Sequence, residues 1–82
     1  MISKKEAFNA VLHRKNVQFV ACGDPFVDKI NKKIVDNVNR GWLCANLTTI
    51  CTSTEILNYV DNFKSLGYTL EDGILYWLYK DL

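Results

Sequence analysis

His13, Cys22, Cys44 and Cys51 are the side chains in this 82-residue chain best suited to hold a metal or to act as nucleophile and base. Zinc sites draw two ligands from one turn, at separations of roughly two to five residues. No pair among these four has that spacing, so they read as small apolar thiols and a surface histidine. Nucleophilic catalysis needs a base beside the thiol and a group to orient that base. His13 is the only histidine, and Arg14 and Lys15 follow it on a segment that faces solvent. Cys22-Gly23-Asp24-Pro25 lies between a strand-like run and a helix start, where an anion can sit. Asp24 puts a carboxylate where a phosphate would go, and no glycine-rich nucleotide fingerprint is present. The expected protein is not an enzyme and carries no metal or cofactor.

Two other sets of residues could make contacts. Lys29, Lys32, Lys33 and Arg40, with Arg14 and Lys15, form a candidate basic surface for nucleic acid. The net charge of only +1 and the interspersed Asp28 and Asp36 weigh against it. Trp42, Tyr76, Trp77 and Tyr79 are candidate protein-interface residues, because Trp and Tyr concentrate where interfaces hold their energy.

The elements that position these residues follow from periodicity. Ser3 and Glu6 have capping-box spacing, and Phe8, Val11 and Leu12 continue a first helix from Lys4 to about Lys15. Residues 17–22, rich in β-branched and aromatic side chains, predict a short strand. Asp24 and Pro25 start a second helix with Val27, Ile30, Ile34 and Val38 on its inner stripe, stopped by Gly41. Residues 42–51 switch to period two and predict a strand, with Leu43, Ala45 and Leu47 toward the helices. Thr52 and Glu55 form a second capping box ahead of a third helix ending at Gly67. Asp72-Gly73 signals a hairpin. Its last strand puts Ile74, Tyr76 and Leu78 on one face and Leu75, Trp77 and Tyr79 on the other, with a C-terminal helix striped by Ile74, Trp77 and Leu78 as the alternative.

This order predicts a single α+β domain over residues 1–82. Three helices pack on one face of a small mixed or antiparallel sheet with a C-terminal hairpin. The bare sheet face would then carry the aromatic second face of the last strand, a patch larger than monomers usually expose. The expectation is a homo-oligomer, or a complex with another protein. Residues 1–41 hold eight basic and four acidic side chains, residues 42–82 two and five, an asymmetry that would allow a dipolar surface, although a lysine-bearing helix face is ordinarily just solvated. The N-terminus lacks the apolar run of a signal peptide and no stretch is long enough to cross a bilayer. Together with three unpaired cysteines, this predicts a cytoplasmic protein with no membrane partner.

The run from Ile30 to Leu78 resembles small uncharacterised accessory proteins of tailed bacteriophages. The resemblance rests on the helix from Ile34 to Arg40 closed by Gly41, the stretch Trp42 to Ile50, the motif Leu66-Gly67-Tyr68 after a helix, and Ile74 to Trp77 near the C-terminus. It implies a virus-encoded protein in the host cytoplasm that works by binding. Such a protein inhibits or redirects a host protein or defence complex stoichiometrically, or alternatively serves in virion structure and assembly. It implies no catalytic residues.

Overall fold

The structure, a computed structural model, describes residues 1–78. Helix α1 (Lys4–Leu12) and helix α2 (Pro25–Asn39) pack on each other; strand β1 (Cys44–Asn46) follows, then a 3-10 turn at Leu47–Thr49, helices α3 (Ser53–Asn58) and α4 (Val60–Ser65), and the hairpin of β2 (Thr69–Glu71) and β3 (Ile74–Tyr76). The sheet is antiparallel in the order β1-β3-β2. The α+β class is as expected, with one helix more among the described residues because the third is broken in two.

Helix α2 is the hub. Asp24 caps it, accepting from the amides of Phe26 and Val27, and Pro25 starts it without sacrificing a hydrogen bond. Its buried residues Ile30, Ile34, Val35 and Val38 span a wide arc, as befits a helix covered by α1 on one side and the sheet on the other. Buried polar groups tie the layers together. The Asn31 side-chain oxygen accepts from the Ile2 amide at 3.2 Å, and the Asn37 side chain donates to the Cys44 carbonyl at 2.9 Å. Tyr68, buried, donates its hydroxyl proton to the Ile2 carbonyl at 2.6 Å. Burial, and to a lesser degree the charge of Glu6, pushes the Tyr68 phenol well above its ordinary value.

The expected bounds of four elements are corrected, by side-chain hydrogen bonds, an aromatic contact or a left-handed residue. Residues 17–22 make no strand. The side-chain amide of Asn39 takes both backbone groups of Val17, accepting from its N–H at 2.7 Å and donating to its carbonyl at 2.9 Å. The Asp28 carboxylate accepts from the Cys22 and Gly23 amides. Side chains of α2 thus stand in for a neighbouring strand. The strand expected over residues 42–51 stops at Asn46, whose side-chain oxygen accepts from the Thr48 amide and bends the chain into the 3-10 turn. The third helix breaks at Tyr59, whose ring stacks on Phe26 with centroids 4.3 Å apart. Helix α1 ends at Leu12, because Arg14 turns left-handed at φ 52°.

The register of β3 decides which aromatic face is covered. Leu75 lies between Ala45 of β1 and Leu70 of β2, and this row faces the helices. Trp77 continues the same alternation and is fully buried, its ring edge-on to Tyr68 with centroids 6.0 Å apart. Trp77 is therefore a core residue and not part of an exposed patch, contrary to the sequence expectation. The open sheet face carries Cys44, Asn46, Thr69, Glu71, Ile74 and Tyr76, a mixed surface that a monomer tolerates. Residues 74–76 are a strand and not the alternative helix; Tyr79 lies outside the described residues.

Candidate functional site

The residues first considered for chemistry are dispersed. His13 is exposed as the C-cap of α1, Cys22 and Cys44 are exposed in separate segments, and Cys51 is half-buried. Burial raises the Cys51 thiol pKa, which leaves it less of the reactive thiolate. Among the described residues no group of three or more His, Cys, Asp or Glu side chains is placed to hold a metal, and no helix is long and apolar enough to cross a membrane.

The predicted basic surface on α2 is partly neutralised. Lys29 pairs with Glu55 at 3.7 Å and Lys32 with Asp36 at 2.7 Å, and both ammonium groups also lie near rings, of Phe26 and Phe19 respectively. Glu55 is held below its ordinary pKa, first by the Thr52 amide it accepts from in the capping box, with Lys29 a smaller contributor. Lys33 is half-buried on the same helix. Arg40 stands apart at the C-cap of α2, with its guanidinium 5.3 Å from the centroid of the Trp42 ring.

Trp42 is 50% exposed, the only described tryptophan or tyrosine with so large a share of its surface in solvent. Gly41 creates this ledge. At φ 80° it reverses the chain after α2, so that Trp42 leaves the helix axis with its amide bonded back to the Asn37 carbonyl at 2.9 Å. Tyr76 is half-buried on the open face across from Cys44. Of the predicted interface set, then, Trp42 and Tyr76 reach solvent and Trp77 does not.

Next to the ledge a cleft of about 290 Å³ opens between the C-terminal ends of α1 and α2. Ala10, Val11 and Val38 supply its apolar lining, and Arg14, Lys15 and Arg40 its charge; among the described residues no carboxylate lines it. Among the described residues none of these three cations makes an ion pair. Sequence reading groups Arg14 and Lys15 with the α2 lysines as one surface. The structure separates them, since the end of α1 meets the end of α2 and the lysines lie further back along α2. A second, more open hollow of about 410 Å³ beside the hairpin includes Ile56, Leu57, Leu70 and Asp72.

Comparison with known proteins finds no matching family model, no matching curated sequence and no matching solved structure.

Proposed function

We propose that this chain is a protein-binding module that acts stoichiometrically through the surface at the end of α2. The observation that carries the reading is Trp42, half exposed and braced by the Arg40 guanidinium. An exposed indole costs hydration free energy in the monomer, and Trp and Arg are the residues whose burial dominates interface energies. The adjoining charged cleft gives such a contact direction and selectivity. The resemblance to phage accessory proteins makes a host protein the partner to look for, in the host cytoplasm, with inhibition or redirection of that protein as the outcome.

The test uses the intact chain and a Trp42→Ala variant as baits against bacterial lysate, followed by reconstitution of any captured protein from purified components. Loss of a hot-spot tryptophan weakens binding by about 30-fold or more, while the variant keeps the wild-type circular dichroism spectrum. Equal affinity of the variant for the purified partner would remove Trp42 from the interface and overturn the reading. Light scattering of both proteins distinguishes a foreign partner from a second copy: a wild-type oligomer that becomes monomeric on Trp42→Ala makes the partner this chain itself.

A further inference from the structure

Three helices of this fold end in one hydrogen-bonding pattern. At the end of α2 the Gly41 and Trp42 amides donate back to Val38 and Asn37; at the end of α4 the Gly67 and Tyr68 amides donate to Lys64 and Phe63. At the end of α1 the Arg14 amide donates to the Val11 carbonyl at 3.3 Å and the Lys15 amide to the Ala10 carbonyl at 2.8 Å. The pattern requires a left-handed residue at its turning point, which glycine supplies without steric cost. Gly41 and Gly67 do so at φ 80° and 91°, but at α1 the position is held by Arg14 at φ 52°. An L side chain there crowds its own backbone, so the arginine costs folding free energy that glycine would not. The same side chain borders the cleft: Arg14 is one of the three cations around its apolar lining.

We infer that this cleft is a carboxylate-binding subsite for an Asp or Glu side chain of an acidic protein segment; the inference rests on the protein-binding reading above and names the chemistry of the partner. Arg14 and Arg40 present planar forks that match a carboxylate, Lys15 adds a point charge, and Ala10, Val11 and Val38 receive the methylene stem. A nucleic-acid strand fits less well. Its phosphates need a continuous row of free cations, and the row along α2 is interrupted where Lys29 and Lys32 already hold Glu55 and Asp36.

The experiment is a ¹⁵N nuclear magnetic resonance titration of the intact chain with hexaglutamate at low salt, run in parallel with an oligothymidine and inorganic phosphate, and repeated on Arg14→Gly. Saturable shifts from hexaglutamate at the Arg14, Lys15, Arg40 and Gly41 amides, weakened about tenfold in Arg14→Gly, are expected. The variant folds, and melts about 2–4 °C higher, because glycine removes the backbone clash and returns only part of the gain to unfolded-chain entropy. Shifts spread equally to Lys29 and Lys32 would mean diffuse attraction, and stronger binding of oligothymidine or phosphate at the cleft would assign it to phosphate. Either result, no saturation with hexaglutamate, or a variant that melts several degrees lower would overturn the inference. Its failure is distinguishable from that of the protein-binding reading, because hexaglutamate does not require Trp42 and the partner assay does.

Discussion

The two tryptophans of this chain sit in opposite environments. Trp77 is fully buried at the end of the central strand, edge-on to Tyr68; Trp42 stands half exposed after the glycine that ends α2, with Arg40 against its face. Both lie in strand-like, aromatic-rich sequence, and both could have been core or interface by composition. The difference comes from what precedes each. Trp77 inherits the inward parity of Leu75 through strand pairing, while Trp42 is placed by a helix end, where parity does not apply. The cap alone does not decide exposure, because Tyr68 follows Gly67 in the same pattern and is buried against Trp77.

The largest expected effect falls on the buried partner in this comparison. Trp77→Ala should lower stability by about 3–5 kcal/mol, enough to unfold much of a small domain, as read by urea denaturation. Trp77→Phe should be markedly milder. The indole Nε1 is buried without a hydrogen-bond partner among the described residues, so phenylalanine relieves one unpaired donor while retaining much of the volume. A loss for Trp77→Phe as large as for Trp77→Ala would show that the site depends on the indole itself and not on its bulk.

A smaller effect tests the cap that exposes Trp42. Among the described residues, chain neighbours aside, a Cβ at Gly41 meets no atom within 4 Å, so the cost of Gly41→Ala is backbone strain, about 1 kcal/mol. A loss of several kcal/mol would mean that the ledge packs more tightly than this geometry. Trp42→Ala should change stability by about 0.5 kcal/mol or less, the level of a surface substitution, while carrying the whole loss of partner binding. A strong destabilisation would make both tryptophans core residues and remove the contrast.

The subtlest expectation concerns acid. The Cys22 amide, with smaller help from that of Gly23, holds the Asp28 carboxyl below its ordinary pKa. Lowered in the folded state, it contributes stability above the unfolded value. That contribution fades as the pH falls from about 4 through the folded value. Amide exchange at Cys22 and Gly23 should rise in that range before the amides around Trp77 respond; simultaneous loss would mean that acid unfolds the whole domain at once.

The candidate site was legible in its parts and not in its assembly. Trp42 and Arg40 stand out by type, and Gly41 marks the helix end between them. That Arg14 belongs with them, rather than with Lys29, Lys32 and Lys33, depends on how α1 lies against α2. A sequence signal for Arg14 does exist: α1 ends without the glycine that closes α2 and α4.

What the sequence determined by itself was local. Capping residues, glycine stops, the period of Ile30, Ile34 and Val38, and the Asp72-Gly73 turn each act within a few residues, where backbone sterics and hydrogen-bonding options are set by the chain nearby. The tertiary structure decided the rest. Asn39 captured Val17 and so prevented a strand that propensity favours, Tyr59 found Phe26 where the third helix breaks, and the pairing of Leu75 with Ala45 and Leu70 turned Trp77 inward. These choices lie between alternatives of similar local free energy, so contacts between residues distant in sequence select among them.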